Sequence, residues 1–247
     1  MNLYFLFNIL LSIAKIEMSS NYTAKVSICT PTYNRRKFIK NLIKYIETQD
    51  YPNELIEWVI IDDGEDKIED LVKNITNVIY VKLPEKVTIG KKRNISHTYC
   101  SGSIIIYMDD DDFYPPTRVS HAVFMLNNNP EILCAGCSKT YIYFTDRNET
   151  YGFGPYQSYH ATANTFAFKR ELLEQTKYND EDKFAEEKEF LKDYSIPMIQ
   201  LNVLKTILII SHDGNTFDKR QILKYGKKSS NSIIHFINSG FSLKLYE

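Results

Sequence analysis

Short apolar, β-branched runs alternate with stretches of helical periodicity through the first half of the chain, a pattern that signals βαβ units and a mostly parallel sheet. Lys25–Thr30 reads as the first strand, closed by Pro31. Arg35–Thr48 places Phe38, Ile39, Leu42, Ile43 and Ile46 on one face of a helix. Glu57–Ile61 is a buried strand ending in Asp62-Asp63-Gly64, and Glu65–Lys73 a short helix. Asn77–Leu83 is a third strand, Gly90–Cys100 a helix, and Ser103–Met108 a fourth strand that runs into four aspartates. Strands this uniformly apolar are expected to be covered on both faces.

The second half is less regular. The pattern predicts a helix from Pro116 to Asn128, a long strand through Phe144, and a break at Gly152-Phe153-Gly154-Pro155. A strand near Ala161–Phe168, a helix near Lys183–Lys192 and a strand over Val203–Ser211 follow. From Lys219 the chain turns basic, with Lys219, Arg220, Lys224, Lys227 and Lys228. That stretch reads as a solvated helix or as an electrostatic contact with a membrane or an anionic acceptor. The expected organisation is an apolar N-terminal extension (1–23), one catalytic domain (24–218) and a basic C-terminal tail (219–247). The opening MNLYFLFNILLSIA is shorter than the roughly 20 residues of a spanning helix. It reads as a signal-anchor, an interfacial helix, or an extension upstream of a start at Met18.

Composition narrows the class. Hydrophobic residues make up 43% and charged residues 25%, which excludes a disordered chain. A net charge of −1 argues against a protein that lives on phosphate-backbone contacts, so no nucleic-acid partner is expected. Four cysteines are too few for a disulfide framework, and Cys134-x-x-Cys137 lies in an apolar run, where it reads as a pair of small buried hydrophobes. A reducing, cytoplasmic setting fits this usage, with membrane association through the N-terminal apolar segment as an addition.

The chemistry gathers at strand ends, where open parallel sheets bind their ligands. Strand one delivers Pro31, Thr32, Tyr33, Asn34 and Arg35; strand two Asp62 and Asp63; strand four Asp109, Asp110, Asp111 and Asp112. Consecutive aspartates at a buried strand end repel one another unless something positive joins them. One would serve as a helix cap; four point to a divalent cation, Mn2+ or Mg2+, bound through hard oxygen ligands with substrate phosphates completing the shell.

VSICTPTYNR (26–35), WVIIDDG (58–64), GKKRN (90–94) and SIIIYMDDDDFYPP (103–116), in that order and spacing, resemble family 2 glycosyltransferases. The resemblance implies an α/β, GT-A (Rossmann-like) fold with a mostly parallel central sheet flanked by helices. It also implies that Pro31, Thr32, Tyr33, Asn34, Asp63 and Arg93 hold the nucleotide and that Asp109 or Asp110 contacts the ribose. Asp111 would ligate the metal in a D-x-D motif, with His212 of the HDGNT segment (212–216) reaching metal or diphosphate. FAEEKEFL (184–191) is similar to the family's Glu-Asp motif, with Glu187 where the catalytic base is Asp and Glu186 its neighbour, so the choice between them stays open. The implied reaction is inverting transfer from a nucleotide-diphosphate sugar, most simply a UDP-sugar, to a hydroxyl of a glycan, lipid or protein. The donor sugar and acceptor would lie against the aromatic, polar stretch 151–165. Two alternatives remain: a degenerate binder of sugar nucleotide or glycan, and a sugar-1-phosphate nucleotidyltransferase. The second is disfavoured by the lack of glycine in PTYNRRKF after strand one.

Overall fold

The structure, a computed structural model, describes residues 22–183 and 185–242. Most of the expected apolar N-terminal extension, and Phe184 of the acidic motif, therefore lie outside the described residues. The first half follows the expected alternation: β1 (Val26–Thr32), α1 (Arg36–Glu47), β2 (Ile56–Asp62), a single turn α2 (Glu69–Val72), β3 (Val78–Lys82), α3 (Ile89–Tyr99), β4 (Ile104–Tyr107) and α4 (Arg118–Asn127). The helix expected over Glu65–Lys73 shrinks to one turn because the backbone N–H groups of Gly64 and Ile68 bond to the Asp62 carboxylate instead.

The strands order as β3-β2-β1-β4-β8-β5-β9 in a seven-stranded sheet. Only β8 (Ala167–Lys169) runs against its neighbours, β4 and β5 (Cys134–Gly136); β9 (Met198–Gln200) pairs parallel to β5. Both faces are buried, as the continuous apolar runs require. On one side lie Val26, Ile28, Trp58, Ile60, Ile104 and Ile106. The intervening Cys29, Val59, Ile61, Ile105 and Tyr107 face the other. The fold is thus α/β with a mostly parallel central sheet flanked by helices.

The second half departs from the periodicity in instructive ways. The long strand through Phe144 is two strands in different sheets, β5 and β6 (Thr140–Phe144). Between them the N–H of Cys137 bonds to the Thr165 hydroxyl (2.9 Å) and that of Ser138 to the Gln200 side chain (2.7 Å), so side chains replace the ladder. The Gly152–Pro155 break is the end of β7 (Glu149–Phe153), which hairpins onto β6. Ala161–Phe168 holds a 3-10 turn before β8, and Val203–Ser211 a 3-10 turn capped by Asn202 before β10 (Ile209–Ser211). The helix near Lys183–Lys192 is one turn, α5 (Glu187–Phe190). The cysteines are free and buried, as expected of small hydrophobes.

The basic stretch is an exposed 3-10 helix, close to the solvated helix expected, and it leads back onto the domain. After a 3-10 helix (Lys219–Tyr225), β11 (Lys227–Lys228) adds to a second sheet of order β10-β6-β7-β11. The final helix α6 (Ser230–Asn238) then lays Phe236 into the core beside Phe113, and Phe241 joins the same cluster. A basic composition concealed two core anchors.

Candidate active site

β1 and β4 are hydrogen-bonded neighbours, and the loops leaving their carboxyl ends form one cavity of about 520 Å³. Pro31, Thr32, Tyr33, Asn34 and Arg35 line one wall, and Asp109, Asp110 and Asp111 another. Lys86, Ile89 and Lys92 come from the approach to α3 and its first turns, and residues Gly214–Phe217 with Lys219 close the far side. Of the residues singled out from sequence, those two strand-end groups meet directly. Asp63, Arg93, Glu186 and His212 stand just behind them, held by the contacts below.

The turn after β1 is built by Asn34, which adopts φ 55°. Its side chain accepts from the N–H groups of Glu65 (2.8 Å) and Asp66 (3.0 Å), locking the β1 turn to the β2 loop. Gly64 makes this possible: a Cβ there would lie 2.6 Å from the Asn34 nitrogen. Asn34 therefore lines the cavity while its amide oxygen shapes the wall. Tyr33 presents its ring to the cavity with the Lys86 ammonium 4.0 Å from the centroid.

The two aspartates after β2 divide their duties. Asp62 accepts from Tyr80 (2.6 Å), Gly64 (2.9 Å) and Ile68 (3.1 Å), so it organises the loop and does not face the ligand. Asp63 accepts from the Val87 N–H (2.9 Å) and pairs with buried Lys92, whose ammonium also donates to the Thr32 carbonyl (3.0 Å). Burial pulls the Lys92 ammonium down, against the carboxylates around it. Sequence reading passed over Lys92 beside Arg93; its position one helical turn after Thr88, the N-cap that opens α3, was the available signal.

Arg93 is 3% exposed and joins two motifs that lie far apart in sequence. Its Nε donates to Glu186 (2.8 Å), its guanidinium faces Asp109 at 3.4 and 3.5 Å, and it sits 4.3 Å from the Tyr107 ring centroid. Glu186 is buried by this pairing, while Glu187 opens α5 half-buried. Burial, and then the neighbouring Glu186 charge, push the Glu187 carboxyl up to about 7.

The four aspartates also differ in role. Burial and then the Asp111 charge push Asp110 well above the usual carboxylate range. Burial pushes Asp111 up as well, but the His212 hydrogen bond and the charges of Lys219 and Arg35 outweigh it and hold the carboxyl at about 2. Asp112 is structural: it accepts from the Ile210 N–H (2.9 Å) and Asn164 (2.8 Å), pinning the acidic loop to β10. Arg35 lies 3.8 Å from Asp110 and 3.7 Å from Asp111, and also donates to the Gly214 carbonyl.

His212 Nε2 is 3.0 Å from Asp111 Oδ2, and Asn215 Nδ2 reaches the same oxygen at 3.1 Å. The sequence motif contains both residues and assigned a role to His212 alone. Among the described residues no three His, Cys, Asp or Glu side chains form a ready cage for a cation. Asp111 opens to the cavity with His212 behind it, a set that nonetheless fits the small number of protein ligands that Mg2+ or Mn2+ takes when substrate phosphates complete the shell.

The glycosyl transferase family 2 model matches residues 27–194, more than half of the chain. The chain belongs to this family. Among family 2 relatives, the poly(ribitol-phosphate) β-N-acetylglucosaminyltransferase TarS of Staphylococcus aureus is 29% identical over 115 residues, 44% of this chain and 20% of TarS. The chain thus spans about a fifth of that relative's length. WcaA of Escherichia coli, a putative colanic acid glycosyl transferase, is 31% identical over 100 residues, 38% of this chain and 35% of WcaA. The mannosyltransferase PcManGT of Pyrobaculum calidifontis, solved with GDP-Man and Mn2+, superposes with a TM-score of 0.62 at 16% identity, covering 94% of this chain and 76% of that one. TarS residues 1–349 with UDP-GlcNAc superpose with a TM-score of 0.60 at 18% identity, covering 89% and 68%. These likenesses establish the fold that the strand pattern implied. No helix among the described residues is long and apolar enough to cross a membrane.

Proposed function

We propose that the chain is a metal-dependent, inverting glycosyltransferase that moves a sugar from a nucleoside diphosphate, UDP foremost, to an acceptor hydroxyl. The observation that carries the reading is the meeting of the Pro31–Arg35 turn with Asp109–Asp111 around one cavity, with Arg93 and Glu186 buried against its back wall. The Tyr33 ring offers a flat face to the base, and Asp109 and Asp110 acceptors to the ribose hydroxyls. Arg35, Lys92 and Lys219 bring positive charge to the same cavity as the acidic loop, where a diphosphate needs it. Asp111 and His212 would hold Mn2+ or Mg2+, which supplies Lewis-acid stabilisation of the departing diphosphate.

Glu186 is engaged by Arg93 and serves as a positioning residue, so the base is Glu187. As the acceptor oxygen bonds to the anomeric carbon, its proton passes to Glu187. The bond from that carbon to the diphosphate oxygen breaks, and its electron pair leaves with the diphosphate. Attack opposite the leaving group inverts the anomeric centre. Tyr194, whose hydroxyl burial and then the Glu187 charge push upward, stacks on His160 (4.9 Å), which also meets exposed Tyr156 (4.7 Å). His160 and Tyr156, within the stretch 151–165 expected to hold the sugars, form an acceptor-side platform together with Tyr194 from outside it.

The test is release of UDP from a panel of UDP-sugars, with product configuration read by NMR. E187Q is expected to lower turnover by about 10²-fold or more, and the product to carry the anomeric configuration opposite to the donor. Full turnover in E187Q, or a product of retained configuration, contradicts the reading.

A further inference from the structure

The cationic side chains that line the active-site cavity divide between two sets of partners. Arg35 lies beside Asp110 and Asp111, and the charge of Lys219 also acts on Asp111. Lys86 and Lys92 belong with the Tyr33 ring, at 4.0 and 6.0 Å from its centroid. Lys86 is exposed, whereas the Lys92 side chain is 7% exposed and fixed from behind. An ammonium has three N–H donors. Lys92 gives one to the Thr32 carbonyl (3.0 Å) and one to the Asp63 carboxylate. The third has no partner among the described residues, and the side chain borders the cavity.

Asp63 itself is shut off from that cavity. Its side chain is 0% exposed, with one carboxylate oxygen taken by Lys92 and the other accepting from the Val87 N–H (2.9 Å). Of the pair, the ammonium alone borders the space beside Tyr33. An ammonium donates hydrogen bonds and cannot accept them. Held in a buried wall, it favours a carbonyl oxygen and disfavours an amino group, whose N–H would face its own. Uracil and cytosine differ in this respect at one ring position: uracil carries a 4-carbonyl where cytosine carries a 4-amino group.

We propose that Lys92 is a specificity-determining residue that reads the 4-carbonyl of a uracil base stacked on Tyr33, with Asp63 as its positioning residue. The proposal rests on the reading of the cavity as a nucleoside-diphosphate site and goes beyond it by naming the group that selects the base.

Isothermal titration calorimetry of the full chain with UDP and with CDP, both with Mn2+, tests it. The two ligands share the ribose, the diphosphate and a pyrimidine ring that can stack, so the ratio of their affinities isolates the edge of the base. UDP is expected to bind at least about tenfold more tightly than CDP. K92M, which removes the donor, is expected to bring the two affinities within about threefold of each other. Because K92M leaves Asp63 buried without its cation, D63N/K92M, in which both charges are gone, is measured beside it and should show the same levelled ratio. A lysine that served only to hold the fold would lower both affinities together and leave their ratio unchanged. Equal binding of UDP and CDP by the unaltered chain, or a preference for UDP that survives in either variant, overturns the proposal while the nucleotide reading stands. Failure of both diphosphates to bind the unaltered chain overturns the nucleotide reading and the proposal with it.

Discussion

Replacing Arg93 by Met keeps an unbranched apolar stem and removes the guanidinium with its charge. The Arg93, Glu186 and Asp109 side chains are 3%, 9% and 24% exposed, so the guanidinium pairs with one nearly buried carboxylate and one partly exposed. Loss of one partner from a buried ion pair costs about 3–5 kcal/mol, because the other charge is left desolvated. Lost contact with the Tyr107 ring belongs to the same network and is not added separately. For a domain of this size the cost corresponds to a fall of about 6–20 °C in Tm. Urea unfolding at neutral pH measures it directly. The pairing makes a further demand. R93M/E186Q should recover part of the loss, with a coupling energy of about 1.5 kcal/mol or more in the double-mutant cycle. If R93M costs less than about 1 kcal/mol, or the two substitutions add independently, Arg93 is not the link between the α3 and α5 motifs and the reasoning fails.

With Glu187 pushed up to about 7, a base at that position is protonated and idle in acid, so kcat should rise with pH and level off above about 7; a flat profile from pH 5 to 9 removes Glu187 from that role. Its effect on stability has the opposite direction: the folded state holds this proton more tightly than the unfolded chain. The contribution is therefore fully present below the ordinary carboxylate value of 4.5 and lost as pH rises through about 7, and E187Q should flatten that part of the stability profile. Gly64→Ala puts a methyl 2.6 Å from the Asn34 backbone nitrogen. It should destabilise the fold by about 1–3 kcal/mol and weaken UDP binding together with it; an unchanged UDP affinity in calorimetry would separate that turn from the nucleotide site.

The first half of the fold is legible in the sequence because its strands are covered on both faces. Continuous runs such as WVII and SIII can only be buried strands when helical periodicity intervenes. The second half is opaque for a physical reason. Its strands are two to five residues long, and side chains such as Thr165, Gln200 and Asn202 take over backbone partners where a ladder would otherwise continue. Pattern reading fused β5 with β6 across that exchange. In the site, motif order singled out Asp109–Asp111 and Arg93, which the structure brings together. It could not tell that Asp62 turns inward to Tyr80 while Asp63 faces Lys92, since neighbouring aspartates look alike until their partners are known. Glu186 and Glu187 separate in the same way, one held by Arg93 and the other half-buried at the opening of α5.

Thermal unfolding with UDP, GDP, CDP and ADP, each with Mn2+ or with EDTA, tests the central claim most directly. A ligand at 100 times its Kd stabilises the folded state by about 2.7 kcal/mol, a rise of about 5–11 °C for a domain of this size. The account predicts such a rise with UDP and Mn2+ and little with UDP and EDTA. It also predicts that D111N abolishes the metal-dependent part. An unmoved midpoint with every diphosphate in the presence of Mn2+ would contradict the assignment of the Pro31–Arg35 turn and Asp109–Asp111 as a nucleotide–metal site.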